Sequence, residues 1–132
     1  MFNRLFRKAP APLSGAPAVR RQKTYSAQSG YVYQYFYEGH RPAVNRGGTE
    51  YVFDVSSDRK TSVHVSVVVS HEALESWQKE RGRNLSSSEQ YAIAKMALFQ
   101  AFDQRENPDA LREAVQVDAA QVRAFLETLD ID

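Results

Sequence analysis

Two-residue alternation of apolar and polar positions appears three times in the first half of the chain, and helical spacing replaces it in the second half. In residues 31–38, Tyr31, Tyr33, Tyr35 and Tyr37 fall on one side and Val32, Gln34, Phe36 and Glu38 on the other, as a strand requires. Residues 50–56 repeat the pattern, with Tyr51, Phe53 and Val55 set against Val52 and Asp54. Residues 62–70 repeat it again, with Val63, Val65, Val67 and Val69 on one face. The connection from Gly39 to Thr49 contains Asn45-Arg46-Gly47-Gly48, a turn composition. Ser57-Asp58-Arg59-Lys60 joins the second and third strands so briefly that they pair antiparallel.

From residue 70 onward the spacing becomes helical. Ser70 caps a helix over residues 71–81 that points Leu74 and Trp77 inward and ends at Gly82. Ser86 and Glu89 form a capping box ahead of a helix over residues 87–105. Its apolar arc (Tyr91, Ala94, Leu98, Ala101 and Phe102) is broad enough for a central, buried position. Asn107-Pro108 opens a short helix over residues 108–114, with proline at its first position. Asp118 and Gln121 begin a final helix whose stripe is Val122, Phe125, Leu126 and Leu129. Strands followed by helices indicate an α+β domain. The expectation is a small three-stranded antiparallel sheet followed by three to four helices packed on one face.

Composition divides the 132 residues into a basic, Pro/Ala-rich flexible tail over residues 1–24 and a single α+β domain over residues 25–132. Residues 1–46 carry eight basic residues and one acidic residue, net +7, while residues 47–132 carry net −6. Such a split suits a tail that meets a polyanion or one that folds onto its own domain. Phe2, Leu5 and Phe6 can share a helical face beside Arg4, Arg7 and Lys8, enough for weak, reversible membrane contact. No apolar run is long enough for a transmembrane segment. The absence of cysteine excludes disulfides and thiolate chemistry and fits a cytoplasmic setting.

The tyrosine strand has two readings. It is half of a core, or it is a stacking platform for single-stranded nucleic acid. In the second reading Tyr33 and Tyr35 stack on bases while Arg41, Arg46, Arg20 and Arg21 neutralise phosphates. No catalytic constellation is present. His71-Glu72-Ala73-Leu74-Glu75 begins like a zinc-protease helix but has Glu75 where the second histidine belongs. Ser56, Ser57, Asp58 and His64 supply the residue types of a hydrolase triad without its arrangement. There is no phosphate-binding loop and no dinucleotide fingerprint, so no cofactor or metal is expected. Arg20-Arg21 and, downstream, Asp54-Val55-Ser56-Ser57-Asp58-Arg59 resemble the split arginine and Asp-x-Ser-x-x-Gly pattern of the PilZ cyclic-dinucleotide domains. Arg59 stands in the glycine position and the helix-rich layout departs from that family's β-barrel, so the resemblance implies no site residue here.

The resulting expectation is a non-catalytic interaction module whose partner is another protein or a second copy of itself. The alternative is a single-strand nucleic-acid-binding domain using the basic tail and the tyrosine-rich strand.

Overall fold

The computed structural model describes residues 10–45 and 47–132. The amphipathic stretch at residues 2–8 and Arg46 lie outside the described residues. Four strands form an antiparallel meander: β1 (Lys23–Ser26), β2 (Val32–Pro42), β3 (Gly48–Ser56) and β4 (Val63–Ser70). Two helices follow, α1 (His71–Arg81) and α2 (Ser87–Gln104), then a 3-10 turn over Pro108–Arg112. The chain returns as β5 (Val115–Val117), which pairs parallel to β4, and ends in α3 (Ala119–Thr128).

The α+β class stands, but the sheet is five-stranded and mixed rather than three-stranded and antiparallel. Two short strands make the difference. β1 begins at Lys23, inside the stretch that composition assigns to the tail, and pairs Tyr25 with Tyr33. β5 is a three-residue strand held by non-local pairing of Val115 with Val67 and Val117 with Val69.

The helix boundaries follow from local chemistry. The Ser70 hydroxyl accepts the Ala73 amide at 3.2 Å, and Gly82 closes α1 in the left-handed conformation. Reciprocal boxes, Ser86 with Glu89 and Asp118 with Gln121, start α2 and α3. Arg83 chelates the Glu89 carboxylate through two nitrogens, each at 3.1 Å. That pairing, with the Ser86 amide, lowers the Glu89 pKa to about 2.

One face of the sheet meets the helices. Tyr33, Phe53, Val65, Val67 and Val69 are fully buried there with Ile93, Leu98 and Phe102 of α2 and Leu126 of α3. The rings interlock: Tyr33 stacks on Phe102 at 4.3 Å between centroids and Tyr25 on Phe99 at 4.4 Å. Tyr35 meets Phe53 and Phe99 edge-on. Aromatic pairs of this kind add directional preference to the burial term.

A bulge in β2 changes which side chains share a face. The register shifts between Tyr37 and Gly39, so that Tyr37 opposes Phe53 but His40 opposes Tyr51 and Arg41 opposes Glu50. The extra residue reverses the alternation. His40 therefore joins the odd-numbered tyrosines on the helix side, and Arg41 joins Phe36 on the outer side. Gly39 adopts φ +124°, and a Cβ there would lie 2.7 Å from the Ser14 carbonyl oxygen, so the position requires glycine.

Candidate functional site

The six residues singled out in the sequence do not come together. Tyr33 is 0% exposed and Tyr35 4%, with both rings held by Phe102 and other aromatic rings. Neither ring presents a free face for a base. Arg20 lies on the outer face of the sheet, its guanidinium 3.7 Å from the centroid of the Phe36 ring. It also pairs with Glu38 and Asp54, each at 2.9 Å. Arg41 is on the same face but bonded to Glu50 at 2.8 Å. Arg21 is exposed, and Arg46 is outside the described residues.

These pairings show where the basic N-terminal segment goes. Ser14 and His40 exchange backbone hydrogen bonds at 2.9 and 2.8 Å, and Arg41 reaches the Ala11 carbonyl at 3.4 Å. Residues 10–22 thus run beside the outer edge of β2 before β1 begins, and Arg20 crosses onto the outer face. On that face Glu50 also accepts a hydrogen bond from the Ser66 hydroxyl. Burial alone would raise the Glu50 pKa, but Arg41 and Ser66 outweigh it and hold the carboxyl below its ordinary value.

The helix side holds a cleft that the sequence did not signal. Tyr37, His40, Tyr51 and Tyr91 line a hollow of about 480 Å³, together with Gly15 and Pro17 of the N-terminal segment and Ser87 and Ser88 of α2. The bulge supplies His40, β3 supplies Tyr51, and the first turns of α2 supply Tyr91. Tyr37 and Tyr91 have ring centroids 4.6 Å apart, and His40 and Tyr51 are 5.7 Å apart. The Tyr37 hydroxyl lies 3.1 Å from His40 Nδ1. Gly15 packs so closely on the imidazole that a Cβ would fall 2.7 Å from Cε1, so only glycine permits this approach.

Burial raises the pKa of the phenols that line the cleft. Burial pushes the Tyr91 phenol up to about 12, with Tyr35 contributing. Burial, with Tyr51 and Tyr91 nearby, raises Tyr37 further still, and burial raises Tyr51. Such phenols are un-ionised near neutral pH, and each hydroxyl can donate or accept a hydrogen bond. A pocket of this size, apolar with a few converging polar groups, has the character of a binding site. The absent signal was the strand's continuation through Gly39, which removes His40 from the loop that turn composition suggests.

The opposite face carries a second, smaller recess of about 260 Å³, lined by Gln34, Phe36, Asp54 and the β3–β4 hairpin at Arg59–Ser62. Gln34 is 5% exposed, and its amide oxygen is buried without a hydrogen-bond partner among the described residues. Asp58 organises the hairpin: its carboxylate accepts the Thr61 amide at 2.9 Å, the Lys60 amide at 2.8 Å and the Thr61 hydroxyl at 3.0 Å. Those bonds lower its pKa to about 2.

Among the described residues no helix is long and apolar enough to cross a membrane. Comparison of the chain with family models, with curated proteins and with solved structures finds no match.

Proposed function

We propose that this chain is a non-catalytic interaction module that holds an extended, proline-containing polypeptide segment in the cleft around His40. The segment comes from a protein partner or from a second copy of this chain. The observation that carries this reading is that the chain's own Gly15 packs on the His40 imidazole and, with Pro17, lines the same hollow as Tyr37, Tyr51 and Tyr91. Extended proline-rich backbone has no internal hydrogen bonds and exposes its carbonyls. Grooves lined by aromatic rings with polar tips complement it. Protonated phenols can donate hydrogen bonds to such carbonyls. If the occupant is the same arm of a second copy, exchange of the arm yields a homodimer at little cost in new contacts.

The test is titration of the full chain, labelled with nitrogen-15, by a synthetic peptide spanning residues 10–19, followed by amide chemical shifts. The expected result is perturbation at Tyr37–His40, Thr49–Tyr51 and Ser87–Tyr91, abolished by Tyr91→Ala. Light scattering over micromolar concentrations then separates a dimer from a monomer awaiting another partner. Absence of peptide shifts, together with salt-sensitive binding of single-stranded oligonucleotides, would replace this reading with the nucleic-acid one.

A further inference from the structure

The segment that precedes β1 is held by few, directed contacts. Residues 12–20 are exposed along their whole length, so apolar burial contributes little to holding them. One holding point is a single strand bridge between Ser14 and His40, made of two backbone hydrogen bonds at 2.9 and 2.8 Å. That bridge cannot lengthen into a ladder. Its antiparallel register places Pro12 opposite Pro42, and neither has an N–H to give. In the other direction the bulge between Tyr37 and Gly39 breaks the pairing. Arg41 adds only a long bond to the Ala11 carbonyl, at 3.4 Å.

The second holding point is Arg20. Its guanidinium pairs with Glu38 of β2 and Asp54 of β3, each at 2.9 Å, and lies 3.7 Å from the centroid of the Phe36 ring. Ser14 thus fastens the segment to the sheet edge, and Arg20 fastens it to the outer face. Between them the chain bends at Ala18 and Val19. Val19 is 63% exposed, so nothing but the two end points fixes the bend. A charged fork on a half-exposed surface contributes modestly and is weakened by salt. The whole segment is therefore released by losing one bridge and one clasp, with the core left intact.

An incoming extended segment cannot share this edge. Ser14 takes both the N–H and the C=O of His40, and Gly15 lies against the imidazole. A ligand that uses those groups has first to displace the chain's own segment. The displaced segment stays tethered at β1, so it competes at an effective concentration of roughly millimolar order. We propose that residues 10–20 are a built-in competitor for the His40 cleft, and that Arg20 sets how readily they yield it to an incoming segment. The competitor presupposes the segment-binding cleft proposed above and adds its regulation. The resting chain binds a partner only through the fraction of molecules whose edge is open. Any change that draws Arg20 from Glu38 and Asp54 raises that fraction.

The test compares the full chain with its Arg20→Ala and Gly15→Ala variants, each labelled with nitrogen-15 and titrated with the peptide spanning residues 10–19. Gly15→Ala expels the segment, because the new Cβ would lie 2.7 Å from the imidazole Cε1. Hydrogen exchange at the Ser14 and His40 amides reads release of the segment independently of any peptide. The expected result is faster exchange at both amides in both variants. Peptide affinity should rise roughly fivefold in Arg20→Ala and roughly tenfold in Gly15→Ala. A peptide carrying the same Gly15→Ala change should bind each chain at least roughly tenfold more weakly. The urea midpoints of both variants should stay at the parent's, since an exposed segment adds little to the core, and this keeps release distinct from unfolding. Faster exchange with unchanged peptide affinity overturns the competition and leaves the cleft reading standing. Unchanged exchange in Arg20→Ala overturns the role of Arg20. A peptide that shifts no amide of Tyr37–His40 in the parent or in either released variant removes the cleft reading, and the competitor with it.

Discussion

The two faces of one sheet solve burial in opposite ways. The helix side is closed by rings and valines, with Tyr33 on Phe102, Tyr25 on Phe99, and Val65, Val67 and Val69 fully buried. The outer side is closed by charge: Arg20 spans Phe36, Glu38 and Asp54, and Arg41 joins Glu50 and Ser66. The same strands supply both faces, separated by one residue of phase and, beyond Tyr37, by a bulge. Apolar packing is non-directional and draws on many neighbours at once. A charged network depends on each partner, and an unpaired member costs more than the pair contributes. The inner face should therefore carry most of the stability, and the outer face should carry most of the sensitivity to single polar changes.

The largest effect should come from the inner face. Phe102 is fully buried and its ring lies within 6.1 Å of those of Tyr25, Tyr33 and Tyr35. Phe102→Ala should cost about 3–5 kcal/mol, read as a shift in the urea midpoint. Phe36→Ala on the outer face removes a half-buried ring beneath Arg20 and should cost about 1–2 kcal/mol. Equal losses at the two positions would abolish the distinction between the faces.

The outer network gives the intermediate effect. Arg41→Ala leaves the partly buried Glu50 carboxylate with Ser66 alone and should cost about 1–2 kcal/mol. Arg41→Met combined with Glu50→Gln should recover most of that loss, because no charge is then stranded. The pH dependence has a definite sign. In the parent chain Glu50 titrates below its ordinary value, so its contribution is present at neutral pH and is lost as pH falls through the lowered folded value. In Arg41→Ala, burial is opposed only by Ser66 and the carboxyl titrates higher, so the stability that Glu50 loses on acidification should shrink, and should turn into a gain if the folded value rises above the unfolded one. An acid limb identical to the parent's would remove Arg41 from the network.

What the chain reveals on inspection tracks the range of the interactions. Helix ends were legible because Ser70, Ser86 with Glu89, and Asp118 with Gln121 act within four residues of themselves. Three of the strands were legible because half-buried sheet imposes alternation. β5 was not, since Val115-Gln116-Val117 is a strand only beside Val67–Val69, far away in sequence. β1 was masked by the composition around it, and Tyr25 is fixed by Phe99 and by its bond to Asp103 at 2.8 Å, both in α2. The His40 cleft depends on the bulge at Glu38–Gly39. Ser14 pairs with His40 just beyond that bulge, and alternation counted through residue 38 places His40 and Arg41 on neither face.

The smallest expected effect asks how dry the inner face is. Tyr33 and Tyr25 both lie against Phe102, but their hydroxyls differ. The Tyr25 hydroxyl donates to Asp103 at 2.8 Å, and burial together with that carboxylate pushes its pKa up to about 12. The Tyr33 hydroxyl is buried without a partner among the described residues. Its neighbour Ser29 already donates to the Phe102 carbonyl at 2.8 Å. Tyr25→Phe should therefore lose about 1 kcal/mol, whereas Tyr33→Phe should be neutral or stabilise by up to about 1 kcal/mol, since it keeps the ring and removes an unsatisfied group. Matched urea titrations of the two variants decide the point. If Tyr33→Phe loses as much as Tyr25→Phe, a bound water serves the Tyr33 hydroxyl, and the contrast between a dry face and a polar one holds only for the valines and phenylalanines.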